Sequence, residues 1–412
     1  MATNGCTHDS LSLSTNKVNA WTEWGKLNEI CVGRADGACY PEFEPTWQTQ
    51  FRSNPELRDV IPFPLGPRLK SVIKRANVQL DAMADMLEGE GIVVHRTLPM
   101  DFSVPVKTPD FESPYGFCNT CPRDTIITLG NVVLEATMSR RSRYFEYLGT
   151  RHIVQHLFNN DKKMLWKAAP KPSMADSMYD TSFWNERDAR KKERMEKSIF
   201  RYPLNDKEPA FDAADMTRMG ADVIIQHSAV TNKPGLEWLR RELDGHVNFR
   251  TIHSSMEDTP IHIDCTLVPI RPPTAGSRGI MMGCPSPQRV LVDAEMEQFR
   301  QSGFDILMAP EPTMGNDTLP VMCEWGKWLS MNLLQISPNK VIIEESEISL
   351  AKWFEDLGME VLKIPYRDVF EFGGSIHCST WDINRDDEKK SYMKCDNFEL
   401  PEHTNGYPGY VS

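Results

Sequence analysis

The stretch IHIDCTLVPI, residues 261–270, alternates side chains as an extended strand does, yet two of its polar positions hold a histidine and an aspartate. In a strand, His262 and Asp264 share one face while Ile261, Ile263 and Cys265 take the other. Burying that pair is costly without a partner. The tripeptide alone leaves open both a satisfied core hydrogen bond and a working site.

Similar strand-length apolar runs recur along the chain: LNEICVG (27–33), TIITLGN (125–131), ADVIIQHS (221–228) and KVIIEESE (340–347). Between them, VIKRANVQLDAMADMLEGEG (72–91) and KPGLEWLRRELDG (233–245) place apolar residues at helical spacing and end in glycine. This alternation predicts an α/β protein. No Gly/Ser-rich or Pro-rich linker divides it, so the expected organisation is a polar tail over 1–17, one domain over 18–385 and a polar extension over 386–412. The closing segment from Asn384 is polar and irregular, as expected of chain lying on the surface.

Composition limits what the domain can do. The chain has 412 residues, 40% hydrophobic and 25% charged, enough to bury a sizeable core. A formal net charge of -12 argues against nucleic acid or an anionic membrane as the main partner and suits a cationic ligand. No apolar window is long enough for a membrane helix, and the start has no signal-like pattern, so a soluble, cytoplasmic protein is expected. The basic run ERDARKKERMEK (186–197) alternates charge signs as a solvated helix face does. Ten cysteines are too dilute for a disulfide scaffold, and CNTC (118–121) lacks the second pair of ligands that zinc needs.

Acids and one thiol gather at strand ends. Asp124 lies in CPRDTII, Asp212 and Asp215 in FDAADMTRMG, and Cys378 follows two glycines in FEFGGSIHCSTWDI (370–383). A planar guanidinium needs carboxylates to hold it, and its central carbon needs a soft nucleophile. A thiol serves once its pKa is depressed, and a histidine can protonate the leaving amine and deprotonate the incoming one. Taken together, Cys378, His262, Asp212, Asp124 and Asp264 are the parts for attack on such a group. His377 falls on the opposite face if its stretch is extended, and so is not counted among them.

At this point the chain resembles a known family. FDAADMTRMG followed by VTN, His262-Ile263-Asp264, TMSRRSRYFEYL from Thr137, KWLSMN from Lys327 and FGGSIHC ending at Cys378 look like the amidinotransferases. That family includes glycine amidinotransferase and enzymes of guanidino-alkaloid toxin pathways, and the likeness spans roughly residues 18 to 385. It implies a five-bladed α/β propeller, the pentein fold, with pseudo-fivefold ββαβ modules around a central site. It implies that Cys378 is the nucleophile toward L-arginine, His262 the proton shuttle and Asp212 its partner. Asp124 would grip the guanidinium and Asp264 the donor's α-amino group. Arg289 would pair with the donor's carboxylate, with Arg278 as its rival. No cofactor or metal is implied, the partners are L-arginine and an amine acceptor, and a homodimer is expected.

Two features depart from the family. Trp325 and Gly326 stand where arginine-using members often carry two serines, leaving Gly326 to offer a backbone N–H, and the loop over 271–281 is longer. Both bear on substrate recognition rather than on amidino transfer. The sequence therefore points first to transfer from arginine to glycine. Transfer to another amine, as in toxin biosynthesis, is the alternative. A deiminase-type hydrolase is a further one, and a retired binding protein fits least because the reactive set is intact. The arginines of TMSRRSRYFEYL are read as bracing one module against another.

Overall fold

The computed structural model describes residues 17–42, 44–46, 64–180, 202–253, 262–285, 293–313 and 327–394. The expectations for the N-terminal tail, the basic run over 186–197, Arg289, Trp325 and Gly326 lie outside the described residues.

Among the described residues, fifteen strands form five three-stranded sheets of one repeated topology, beside two short two-stranded pairs. In four of them a hairpin of two antiparallel strands leads through a helix to a third strand that pairs in parallel with the second. These trios are β3 (Ile126–Leu129), β4 (Val132–Glu135) and β5 (Leu165–Ala168); β6 (Met216–Met219), β7 (Asp222–His227) and β8 (Asn248–His253); β9 (Leu267–Arg271), β10 (Gly279–Gly283) and β11 (Phe304–Met308); and β12 (Leu334–Ser337), β13 (Lys340–Glu344) and β14 (Glu360–Ile364). The crossover helices, in order, are α2 (Arg151–Asn160), α3 (Lys233–Glu242), α4 (Asp293–Gln301) and α5 (Ile348–Asp356).

The fifth sheet joins the two ends of the chain. Strand β1 (Lys26–Val32) runs through α1 (Lys70–Gly89) to its parallel neighbour β2 (Val93–Arg96), and its antiparallel neighbour is β15 (Thr380–Asp386), the last of the described strands. The polar segment from Asn384 therefore begins inside a strand, where Arg385 is buried, rather than on the surface.

Local chemistry explains these elements. Some strands, such as β7 with the sequence DVIIQH and Val223, Ile224 and Ile225 at its centre, are buried along their whole length. In α1, Ala76, Leu80, Met83 and Leu87 recur at helical spacing and enter a core shared with Ile30 and Ile92. Helix α3 is capped by Asn232, whose side chain accepts from Gly235 N, has Pro234 in its first turn and ends in Arg240 and Arg241, which suit a helix C-terminus. No described helix is long and apolar enough to cross a membrane.

The site is positioned by what precedes each hairpin. A 3-10 turn leads into β3 (Pro122–Asp124), β6 (Ala213–Asp215), β9 (Ile263–Cys265) and β12 (Lys327–Met331). Before β15 the chain turns again, with Ser379 N donating to Ser375 O at 3.0 Å and Thr380 N to His377 O at 3.1 Å. These five turns carry or flank Asp124, Asp212, His262, Asp264 and Cys378. Neighbouring sheets touch through their inner strands: β15 lies against β3, β6 against β9, and β1 against β12.

Candidate active site

The extended reading of IHIDCTLVPI is corrected here. His262 is extended, but Ile263–Cys265 form a turn and the strand starts only at Leu267. Strict alternation of faces therefore does not hold, and Cys265 turns inward, 3.6 Å from the Asn332 amide. The expectation for His377 fails for the same reason. Its stretch is a turn, and His377 Nδ1 lies 2.8 Å from Asp264 Oδ2.

Cys378, His262, Asp212, Asp124 and Asp264 are brought together and all are buried. His262 Nε2 is 3.1 Å from Asp212 Oδ2, and His262 Nδ1 is 3.6 Å from Asp124 Oδ1. The other Asp212 oxygen accepts from Ser139 N at 3.1 Å. The Cys378 thiol is 3.4 Å from Asp264 Oδ2. One ligand atom each from Asp124, His262 and Cys378 lie within 4.8 Å of one another, so these residues could also hold a metal ion, using the same atoms that the chemistry needs.

Two carboxylate oxygens are left over. Asp124 Oδ2 takes the Arg143 guanidinium at 2.6 Å and Asp264 Oδ2 takes His377. Asp124 Oδ1 and Asp264 Oδ1 are buried and accept no hydrogen bond among the described residues. A buried acceptor without a hydrogen bond costs about 1–3 kcal/mol, more when charged, and the His262 imidazole 3.6 Å from Asp124 Oδ1 offsets part of that at one of the two.

Electrostatics follow from burial and these acids. Burial alone lowers the His262 pKa, but Asp124, the hydrogen bond to Asp212, and Asp215 raise it to about 9. Burial raises the Cys378 thiol well above its usual value, and the charges of Asp264 and Asp124 push it further the same way. Burial would raise Asp212 as well, but the hydrogen bond and charge of His262, then Arg140 and Arg143, hold it below the usual range. Asp264 is likewise raised by burial and lowered overall by His377, His262 and Arg123. The pattern is a neutral thiol beside a protonated imidazole.

The glycines before Cys378 are needed by geometry. Gly373 has φ +90°, in the left-handed region that suits glycine. A Cβ at Gly374 would lie 2.5 Å from Cys378 Cβ and 2.7 Å from Cys121 Sγ, so the thiols occupy the space a side chain would need.

TMSRRSRYFEYL holds the acids in place. Thr137 Oγ1 donates to Phe211 O at 2.8 Å, Ser139 N reaches Asp212, and Arg143 bridges Asp124 and Glu146. Asp215 is sequestered by Ser228 and Thr231, both at 2.5 Å. Arg278 is tied to Asp305 at 2.6 Å and to the carbonyls of Arg300 and Phe304, half-exposed, so it contributes nothing to this cluster.

Two residues beside the thiol were not read from the sequence. Asn332 Nδ2 donates to Cys378 Sγ at 3.1 Å and Asn332 Oδ1 accepts from Cys378 N at 3.0 Å. His377 links Asp264 to Glu23, whose carboxylate is 3.5 Å from Nε2. Asn332 ends the quoted KWLSMN motif, but an uncharged residue gave no chemical signal there.

No family model matches the chain. Individual relatives do. Mitochondrial glycine amidinotransferase of Gallus gallus is 35% identical over 387 residues, covering 91% of this chain and 85% of the relative. L-arginine:L-lysine amidinotransferase of Pseudomonas savastanoi pv. phaseolicola is 34% identical over 389 residues, covering 92% and 98%. Among solved structures, an amidinotransferase of the saxitoxin biosynthetic pathway from Microseira wollei superposes with a TM-score of 0.77 at 32% identity, covering 91% of this chain and 99% of that one. A relative more than 30% identical and covered over more than two thirds of its length shows the family, and the chain belongs to the amidinotransferases.

Proposed function

We propose that this amidinotransferase moves the amidino group of L-arginine, through a covalent amidino-cysteine at Cys378, to glycine, giving ornithine and guanidinoacetate. The observation that supports it most is that Asp124 Oδ1 and Asp264 Oδ1, buried near the thiol, accept no hydrogen bond among the described residues. Asp124 takes the guanidinium and Asp264 the α-ammonium. Arg289 is assigned to the donor's carboxylate and the Gly326 N–H to the same end of the donor. We further propose that the five sheets close into a five-bladed propeller, which accounts for turns from distant segments meeting at one point.

The chemistry proceeds in two halves. Burial and two carboxylates hold the thiol neutral; binding a cation offsets the carboxylates, so the thiol releases its proton to solvent while His262 keeps its own. The thiolate donates its electron pair to the guanidino carbon as the bond to the ornithine nitrogen breaks, and His262 protonates that nitrogen. Asp212 orients the imidazole. After ornithine leaves, the acceptor amine attacks the same carbon, gives its proton to His262 and expels the Cys378 thiolate. The residues then return to their starting state, so the thiol itself carries the group.

Glycine is favoured by likeness to glycine amidinotransferase. A larger amine is the second reading, supported by the relatives named for lysine and for saxitoxin biosynthesis. The test is to incubate the protein with arginine and glycine, with arginine alone and with arginine and lysine, and to follow ornithine, guanidinoacetate, homoarginine and citrulline. Guanidinoacetate matching ornithine, absent in Cys378→Ala, supports the first reading. Ornithine that needs another amine supports the second, and citrulline formed with arginine alone overturns both.

A further inference from the structure

We propose that Asn332 is a catalytic residue, whose side-chain N–H stabilises the Cys378 thiolate when it attacks and again when it is expelled. The inference rests on reading Cys378 as the nucleophile.

The geometry is a clamp on one residue. Asn332 Oδ1 accepts from the backbone N–H of Cys378 at 3.0 Å, and Nδ2 donates to its Sγ at 3.1 Å. The backbone N–H fixes which end of the amide faces which way, because a flipped amide would set an NH2 against an N–H. Asn332 is buried, 1% exposed, and its own carbonyl accepts from His377 N at 3.4 Å. Its NH2 also lies 3.6 Å from Cys265 Sγ, so the amide plane is held at both ends.

The clamp matters because of what else surrounds the sulfur. Asp264 Oδ2 lies 3.4 Å away on one side, and Asp124 lies within the same cluster. Both oppose negative charge on sulfur. Asn332 supplies the hydrogen bond that Sγ accepts from among the described residues, and a bond to an ionised acceptor is stronger than one to a neutral thiol. It therefore favours the charged form, as a fixed dipole that needs no rearrangement.

The same bond is used twice. In the first half the sulfur's electron pair goes to the guanidino carbon, and the sulfur loses its charge and most of its claim on the N–H. In the second half the acceptor nitrogen bonds to that carbon and the C–S pair returns to sulfur, where Asn332 again meets the charge. A group that strengthens its bond only when sulfur is anionic assists the leaving of Cys378 as well as its attack.

The test compares wild type with Asn332→Asp, Asn332→Ala and Cys378→Ala. Asn332→Asp keeps an oxygen for the Cys378 N–H but replaces the donor on sulfur with a carboxylate. Alkylation of Cys378 by iodoacetamide is followed across pH by mass spectrometry of its peptide, alongside kcat and KM for amidino transfer. The expected result is an alkylation midpoint moved to higher pH in both Asn332 variants. With it, kcat falls by about a hundredfold or more while the KM for arginine changes little. Asn332→Ala serves the same readouts if Asn332→Asp does not fold. Unmoved midpoints, with folding intact, overturn the proposal and leave Asn332 a structural brace. A fully active Cys378→Ala instead overturns the nucleophile reading on which it rests.

Discussion

Arg143 spans two acids, with Nη1 2.6 Å from Asp124 Oδ2 and Nη2 2.7 Å from Glu146 Oε2, all three side chains being buried. Removing the cation leaves both carboxylates in a low-dielectric interior. Arg143→Met is expected to lose about 3–5 kcal/mol of unfolding free energy, with Arg143→Lys recovering part of it. Urea denaturation of the three proteins at neutral pH checks this, and equal midpoints would rule it out.

His262 sets a pH window for stability. Its folded pKa of about 9 lies above the ordinary value of 6.5, so holding the proton stabilises the fold. That contribution is complete below about pH 6.5 and is lost as pH rises through about 9, amounting to on the order of 3 kcal/mol. Wild type is expected to lose stability across this window, and His262→Gln to flatten that part of the curve. Thermal unfolding at pH 6, 7.5 and 9.5 measures both.

Burial, and next the charge of Asp264, hold the Cys378 thiol neutral. Asp264→Asn removes the charge and keeps the shape. Alkylation of Cys378 by neutral iodoacetamide near pH 8 is therefore expected to become roughly tenfold faster, although the KM for arginine rises. Slower alkylation in the variant would contradict the electrostatic account.

Gly374 has no room for a methyl group. Gly374→Ala is expected to cost about 1–3 kcal/mol and to displace Cys378 from its hydrogen bonds with Asn332, with an activity loss larger than the stability loss alone explains. Turnover measured well below the melting temperature separates the two effects. Full activity there would show that the loop relaxes freely.

The parts legible in the sequence were those with strong local signals. LNEICVG and ADVIIQHS became β1 and β7, and the two periodic runs became α1 and α3, because apolar spacing reports directly on burial. Asp124, Asp212, His262, Asp264 and Cys378 stood out because charged or reactive groups in apolar surroundings need a reason. The turns were not legible. Residues 263–265 read as strand, since Ile261 to Thr266 alternate apolar and polar residues, whereas the structure folds Ile263–Cys265 into a turn. The partners Asn332 and His377 were missed because their meaning lies in contacts 46 and 113 residues away in sequence, to Cys378 and Asp264.

The pairing of the final strand with the first has a consequence for synthesis. Cys378 lies two residues before β15, which finds its ladder on β1, made far earlier in translation. Asp124, Asp212 and His262 leave the ribosome long before the thiol does. A nascent chain thus carries Asp124, Asp212 and His262 before Cys378 is made, and the cluster is complete only when β15 pairs with β1.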